Sequence, residues 1–440
     1  MSIKNIIKFH NPLKTITLII TLVAALAFIA CGSNNATPAE SLTRQDFLED
    51  LDYLLKVTEQ NFPYLGIAYR RFGVHLLDAG QALREKIADE NTPIDFTTFI
   101  NLLRSEFFAN RSGIGHFWML SEAERLRNYE RWAGGYMFFG AEHSNFMHSI
   151  MGTPPRYPSP IPNHPGAAPN PSGDYAVVFE IIEEGRIAYM RLASLHDELL
   201  YRDDDILNFL MGLGGFEHLI IDMRSSLGGR TEHFDNLVAA RLINQRLSVT
   251  YHDFYKAGPH NIAFLGLFGR MPNAGPFAHR RFDIGQLDTI FANVGGANYI
   301  CPDVLADLSV FDYHFSGTRT VVPGPVRSPF NGKIWMLVDE RVMSAGTQVA
   351  HFYKETGFAT LVGQTTGGGV GGNSQAQAGA FHIRNYFALP NTNMIVMFDL
   401  TFRTDSQGRP LELGVEPHYF NRPGMDALET VLVIIGEGGY

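Results

Sequence analysis

Residues 218–229, which read HLIIDMRSSLGG, join an apolar run to a glycine turn. A run of aliphatic residues such as the one ending at Asp222 is typical of a strand that is buried on both faces. Gly228 and Gly229 close the turn, and residues 232–244 after it have the spacing of a helix. Glycine lets the backbone approach whatever lies beyond the carboxyl end of the strand. This segment therefore predicts a strand–turn–helix unit.

A second unit of the same kind lies farther along the chain. Residues 334–338 predict a buried strand, residues 345–356 predict a helix, and Ser344 stands at the start of that helix. Sites in open α/β sheets lie at the carboxyl ends of the strands, so Ser344 should lie near the glycine turn. Free N–H groups and the positive end of the helix would stabilise a negative charge at this position.

The chain from residue 175 to residue 440 alternates short strands with helices. Further strands are expected at 177–182, 186–192 and 359–362, and a further helix near 204–213. Buried apolar runs separated by helices of this length favour an α/β layered domain.

The first part of the chain has a different pattern. Residues 41–130 predict a helical domain, because apolar residues recur at helical spacing in 47–57 and again in 95–103. Residues 131–174 are rich in proline and poor in large apolar residues toward their end, which predicts an exposed loop or linker.

The N-terminus has the composition of an export signal. In residues 1–30, lysines precede an uncharged apolar run at 16–30 that is shorter than the ~20 residues of a spanning helix. Residues 28–31, FIAC, resemble a bacterial lipobox except for the aromatic first position, and the small polar segment 31–40 suits a lipoprotein tether. We expect an exported protein anchored to the bacterial membrane through a lipid on Cys31. The alternative is an uncleaved anchor.

Composition excludes several functions. The formal net charge of −10 disfavours nucleic acid as a partner. Only two cysteines exist, and if Cys31 carries lipid then Cys301 has no disulfide partner. The chain has no HExxH and no cysteine–histidine metal spacing, and the glycine-rich segment 367–372 lacks the residues that complete a P-loop. We therefore predict no metal and no cofactor.

Three segments resemble motifs of the tail-specific (C-terminal processing) serine proteases, in the family's order. Residues 219–229 resemble the LIIDLR-x-N-x-GG segment. Residues 344–345 with 361–368 resemble the SA-x-E and GE-x-T-x-G block, and residues 411–417 resemble the LE-x-x-GV-x-P ending. Each motif alone is weak, and the three together are specific.

The resemblance extends over roughly residues 100–420 and implies a crotonase/ClpP-like α/β/α catalytic domain behind a helical N-terminal domain. It implies hydrolysis of peptides or proteins through an acyl-enzyme, with Ser344 as the nucleophile. The oxyanion donors would be the backbone N–H groups of Ala345 and of Gly228 or Gly229.

The expected catalytic base follows from a position at which this chain departs from the family's pattern. Many family members place a lysine just past the GE-x-T block, where this chain has Gly369, and Lys354 is the only lysine after Ser344. The chain therefore resembles the branch that includes the tricorn protease, in which a histidine is the base and a glutamate orients it. This resemblance implies that His116 is the base and that Glu412 holds the imidazole, directly or through a serine.

Several alternatives stay open at this point. Gly115 stands where tricorn has a catalytic serine, so the fourth member of the constellation is not assigned. A serine at a helix start is more often a cap than a nucleophile. A non-catalytic lipid- or peptide-binding protein, as in the related interphotoreceptor retinoid-binding protein, and a small-molecule esterase are the rival functions. The oligomeric state and the substrate preference are also open.

Overall fold

The structure is a computed structural model that describes residues 42–73, 75–108, 114–121, 177–262, 280–370 and 384–438. From Thr43 onward these residues belong to one compact unit. The predicted signal peptide, the predicted tether with Cys31, the predicted proline-rich linker and the domain boundaries predicted near residues 130 and 174 lie outside the described residues.

The elements are numbered along the chain. The helices are α1 (Arg44–Asn61), α2 (Leu65–Phe72), α3 (Leu76–Ala88), α4 (Phe96–Leu102), α5 (Asp203–Met211), α6 (Thr231–Phe234), α7 (Ala240–Leu242), α8 (Leu287–Ile290), α9 (Pro302–Leu308), α10 (Ala345–Glu355) and α11 (Ala427–Gly436). The strands are β1 (Trp118–Met119), β2 (Val178–Glu183), β3 (Ile187–Arg191), β4 (His218–Asp222), β5 (Leu247–Tyr255), β6 (Arg280–Arg281), β7 (Tyr313–Val321), β8 (Lys333–Val338), β9 (Thr360–Gly363), β10 (Arg384–Ala388), β11 (Ile395–Asp399), β12 (Phe402–Asp405) and β13 (Tyr419–Phe420).

The largest sheet has the strand order β13-β9-β8-β4-β3-β2 and is parallel except for β2. Successive side chains of its central strands enter two different cores, because strand residues alternate between faces. Ile220 and Trp335 pack in the core that includes residues of α11. Leu219 and Met336 pack in the core that includes residues of α6 and α10. The sheet is thus covered on both faces, which confirms the predicted α/β/α architecture.

Two antiparallel sheets complete the sheet topology of the described residues, with the orders β12-β5-β7-β6 and β1-β11-β10. The sequence did not predict them. The pairing of β1 with β11 places Trp118 opposite Met397. It brings the segment after the first helices next to a strand from near the C-terminus, which matters for the site below.

The N-terminal helices form as their sequence indicates. Helix α1 begins with a capping box between Thr43 and Asp46 and buries the apolar positions Phe47, Leu51 and Leu54. Helix α4 follows the cap Asp95. Among the described residues, no helix combines the length and apolar character needed to cross a bilayer.

The strand–turn–helix units form close to their predicted bounds. Strand β4 covers 218–222, and strand β8 with helix α10 covers 333–338 and 345–355. Parallel pairing of β4 with β8 sets their carboxyl ends at the same edge of the sheet. The hydrogen bond from Met343 N–H to Ser226 C=O, 2.9 Å, then joins the two turns.

Candidate active site

Ser344 stands in a strained backbone conformation at the start of α10. Its φ of 54° and ψ of −121° lie outside the regions that L-residues usually occupy. Its N–H donates to Gly368 C=O at 2.8 Å. Its Oγ lies 3.2 Å from His116 Nε2 and makes no capping hydrogen bond to the fully described helix α10. The side chain therefore points away from the cap position, and strain of this kind clusters at functional sites.

His116 lies in a short helical turn, Ile114–His116, that runs directly into β1. Its own φ is 45°, so the backbone is strained here as well. Its Nδ1 lies 2.5 Å from Asp399 Oδ2, and only 11 % of its side chain is exposed. One ring nitrogen thus faces the serine and the other faces a carboxylate, which fixes the orientation of the imidazole.

Asp399 is the site residue that the sequence analysis missed. It is the last residue of β11, and its side chain is fully buried. The pairing of β1 with β11 brings it to His116. The only local signal is an apolar run that ends in a carboxylate, and Asp222 at the end of β4 has the same signal.

Glu412 makes different bonds from those expected. It lies in the turn Leu411–Leu413 and is fully buried. Its Oε1 accepts the N–H of Gly115 at 2.7 Å and its Oε2 accepts the N–H of Val370 at 2.9 Å. The prediction that Glu412 holds the imidazole is therefore corrected: Asp399 occupies that position, while the Glu412 carboxyl group is engaged by two main-chain segments beside the site.

Burial, and after it the negative charge of Asp399, raise the pKa of Glu412 to about 8 against the opposite effect of its two backbone hydrogen bonds. Tyr64 shares this environment. Burial, followed by the charges of Glu412 and Asp399, holds the pKa of Tyr64 well above its usual range. Glu412, Asp399 and Tyr64 are therefore buried groups that influence one another's ionisation.

The glycine before the histidine is required by its surroundings. Gly115 has a φ of 55°, and a Cβ there would lie 2.6 Å from Tyr64 Cδ2 and 2.9 Å from Phe62 Cε2. A serine therefore does not fit at this position without movement of the two rings.

Gly228 and Gly229 lie against different parts of the chain. A Cβ on Gly228, whose φ is 95°, would lie 2.8 Å from Ser344 Cβ and 2.9 Å from Ala345 N. A Cβ on Gly229, whose φ is 133°, would meet the main chain of Leu195. Gly228 is therefore the glycine that borders the Ser344–Ala345 peptide, and Gly229 allows the neighbouring loop to pass.

The structure also places four residues outside these contacts: Lys354, Asp222, Arg224 and Cys301. Lys354 Nζ donates to the carbonyl of Glu416 at 2.7 Å. Asp222 and Arg224 form an ion pair with an N–O distance of 2.7 Å at the end of β4. Cys301 is exposed and has a free thiol.

A serine in a strained turn, an imidazole within hydrogen-bonding reach and a buried carboxylate behind it define a serine-hydrolase type of site. The family model "Peptidase family S41" matches residues 186–419, more than half of the chain, and the chain belongs to this family. It is accordingly a serine-type peptidase of the tail-specific protease family and acts on peptides or proteins.

Solved structures share the fold. A candidate peptidase from Parabacteroides merdae has 15 % identity and a TM-score of 0.51, with 91 % of this chain and 98 % of that chain covered. Mature CPAF in complex with lactacystin has 12 % identity and a TM-score of 0.51, with 90 % and 97 % covered. Mature CPAF alone has 12 % identity and a TM-score of 0.50, with 90 % and 99 % covered. No curated protein matches the chain significantly.

Proposed function

We propose that this peptidase cleaves peptide bonds through an acyl-enzyme, with Ser344 as nucleophile, His116 as base and Asp399 as the carboxylate that orients the base. The observation that supports this most strongly is the continuous chain of contacts from Ser344 Oγ to His116 Nε2, 3.2 Å, and from His116 Nδ1 to Asp399 Oδ2, 2.5 Å.

The chemistry follows from the two ring nitrogens. With its proton on Nδ1, the neutral imidazole donates to Asp399 and accepts the Ser344 proton at Nε2 as Oγ attacks the substrate carbonyl. The imidazolium then returns this proton to the leaving amine, and the Asp399 carboxylate stabilises the charged ring. Water attacks the acyl-enzyme by the same route, with His116 again as base.

The tetrahedral intermediate needs hydrogen-bond donors for its oxyanion. The Ala345 N–H at the start of α10 and the turn at Gly228 border the nucleophile, and a side chain at Gly228 would intrude on this space. Backbone N–H donors aimed at the developing charge contribute several kcal/mol to such reactions, typically about 3. We assign the oxyanion site to Ala345 and to the Gly228–Gly229 turn.

Glu412 is proposed as a positioning residue. By accepting the N–H of Gly115 it fixes the residue next to His116, and by accepting the N–H of Val370 it fixes the glycine-rich segment. Arg71 donates to Gly367 C=O at 2.7 Å and so holds the same segment from α2.

The test is hydrolysis of a fluorescently labelled unfolded protein by the full mature chain, compared with Ser344→Ala. We expect cleavage by the wild type, loss of cleavage in the variant, and an increase of kcat/KM with pH as the imidazole loses its proton. Retained cleavage by Ser344→Ala contradicts the nucleophile assignment. Hydrolysis of small esters without any peptide cleavage indicates the esterase instead, and absence of both indicates a binding protein.

We also propose that the protein is exported and anchored by a lipid on Cys31. The support is the charged start, the apolar run at 16–30 and the FIAC sequence at 28–31. The test is fractionation and mass spectrometry of the wild type and of Cys31→Ser expressed in a bacterium. A diacylglyceryl group on Cys31 and a membrane-bound wild type are expected, and a soluble, unlipidated mature wild type contradicts the proposal.

A further inference from the structure

One imidazole and two carboxylates converge at the far end of α10, away from Ser344. His351 and Glu355 lie four residues apart on this helix and share a face. Asp405 is the last residue of β12. One ligand atom from each of the three residues lies within 4.8 Å of the others. The sequence alone does not indicate this cluster, because Asp405 is distant in the chain from His351 and Glu355.

The imidazole lacks a hydrogen bond. His351 Nε2 is buried and has no hydrogen-bond partner among the described residues. Its side chain is 7 % exposed, and the Asp405 carboxylate is 3.9 Å from Nε2. Buried polar atoms without a partner are rare in native structures, and each needs an explanation. A neutral imidazole with a free ring nitrogen is the form of histidine that binds metal ions.

A guanidinium now balances the two carboxylates. Arg409 Nε lies 2.6 Å from Asp405 Oδ2, and Arg409 Nη2 lies 2.8 Å from Glu355 Oε1. The Arg409 side chain is 54 % exposed, so it can leave for solvent. Two other guanidinium groups line the cavity beside His351, and each has its own carboxylate: Arg319 pairs with Asp235 at 2.6 Å and Arg403 pairs with Asp253 at 2.7 Å. Without Arg409 the cluster has two negative charges, which matches one divalent cation.

We propose that His351, Glu355 and Asp405 form a binding site for a divalent transition-metal cation of the Zn²⁺ class, and that the cation displaces Arg409. An imidazole with two carboxylates suits Zn²⁺ better than Mg²⁺ or Ca²⁺, which prefer oxygen ligands alone. Tetrahedral Zn²⁺ separates its ligand atoms by roughly 3.3 Å. Binding would therefore shorten the distance between His351 Nε2 and Asp405 Oδ2 from 3.9 Å to roughly 3.3 Å and turn the partly exposed Glu355 side chain toward them.

Metal binding would link two elements that support the active site. The cation would join α10, which begins directly after Ser344, to β12, which follows the strand of Asp399. It takes no part in the chemistry of hydrolysis. A ligand that binds only the folded chain stabilises it by an amount that grows with the logarithm of the ligand concentration above Kd, so metal should raise the unfolding temperature.

The test is Co²⁺ binding followed by visible absorption, with Zn²⁺ competition by calorimetry, on the full mature chain after removal of metal with EDTA. We expect one equivalent to bind. His351→Asn and Glu355→Gln should each weaken binding at least about 100-fold, because even outer-shell losses cost 10–100-fold. Arg409→Met should bind more tightly, since the competing cation is gone. His75→Asn, an exposed histidine outside the cluster, is the matched control and should bind as the wild type does.

Absence of binding, or binding that survives both His351→Asn and Glu355→Gln, overturns the proposal. If Arg409→Met binds the metal ion more weakly than the wild type does, the proposal that the cation displaces Arg409 is wrong. If His351→Asn fails to fold, as judged by circular dichroism, Glu355→Gln decides the question alone because its partly exposed side chain tolerates replacement.

Discussion

At the scale of single residues, the site contains two buried carboxylates that differ in what they contact. Asp399 contacts the imidazole of His116, whereas Glu412 accepts two backbone N–H groups. A carboxylate on the ring selects the tautomer and stabilises the imidazolium. A carboxylate that accepts hydrogen bonds from the main chain influences the reaction only through the positions of the residues that it holds. The two residues should therefore respond differently to amide replacement.

Asp399→Asn should lower kcat by about 10³- to 10⁴-fold, because an amide can favour the wrong imidazole tautomer. Glu412→Gln is the matched change of the other carboxylate. It keeps one acceptor oxygen, so kcat should fall within about tenfold while stability falls by about 1–3 kcal/mol from the lost hydrogen bond. Steady-state kinetics on one peptide checks both. If kcat of Asp399→Asn is nearly normal and kcat of Glu412→Gln is strongly reduced, Glu412 is the residue that orients the imidazole.

Glu412 should also give the protein a pH-dependent stability. Its pKa is raised from 4.5 to about 8, so the folded state binds this proton more tightly than the unfolded state does. The resulting stabilisation is complete below about pH 4.5 and is lost as the pH rises through about 8. Urea unfolding from pH 5 to pH 9 should show the stability of the wild type relative to Glu412→Gln decreasing steadily. A difference that stays constant or grows with pH would refute the raised pKa.

At the scale of elements, the two strand–turn–helix units depend on a close approach between their turns. Gly228→Ala would place Cβ 2.8 Å from Ser344 Cβ, and a shift of about 1 Å at a nucleophile costs roughly 100-fold in rate. We expect kcat/KM to fall by at least this factor. Gly185→Ala is the control: its φ is also positive, 68°, but no heavy atom would lie within 4 Å of the new Cβ. Normal activity of Gly228→Ala would mean that the turn does not shape the site.

At the scale of the whole molecule, the first helix supports the hairpin that carries Asp399. Asp50 of α1 accepts the N–H groups of Asn391 at 2.7 Å and Thr392 at 2.9 Å, in the connection between β10 and β11. Asp50 is fully buried, and Asp52, two residues on, makes an exposed ion pair with Arg84. The same helix thus offers a buried and an exposed aspartate for comparison.

Asp50→Asn should lower the free energy of unfolding by about 1–3 kcal/mol, because an amide cannot accept all of these bonds and leaves a buried donor unpaired. Asp52→Asn should cost less than about 1 kcal/mol, as exposed ion pairs usually do. Urea denaturation of both variants checks the difference. Equal losses would show that the hairpin does not depend on α1.

The sequence predicted what is local. The strand and glycine turn at 218–229 and the strand and helix at 334–356 follow from apolar runs and local turn residues, which need no distant contact. His116 came from the family resemblance, and the structure places it beside Ser344. Asp399 was missed because its role depends on the pairing of β1 with β11, across 283 residues from His116. Most of the two antiparallel sheets was missed for the same reason, since β1 pairs with β11 and β5 pairs with β12 over long separations. The hairpin of β10 and β11 is local, and the sequence analysis did not identify it.

The most direct measurement of the central claim is covalent labelling by a fluorophosphonate, with the modified residue located by mass spectrometry. The account predicts a single adduct on Ser344, no adduct in Ser344→Ala, and labelling of His116→Ala slowed by at least about 10³-fold, because the hydroxyl is then left without its base. An adduct on another residue, or labelling of His116→Ala at the rate of the wild type, would contradict it.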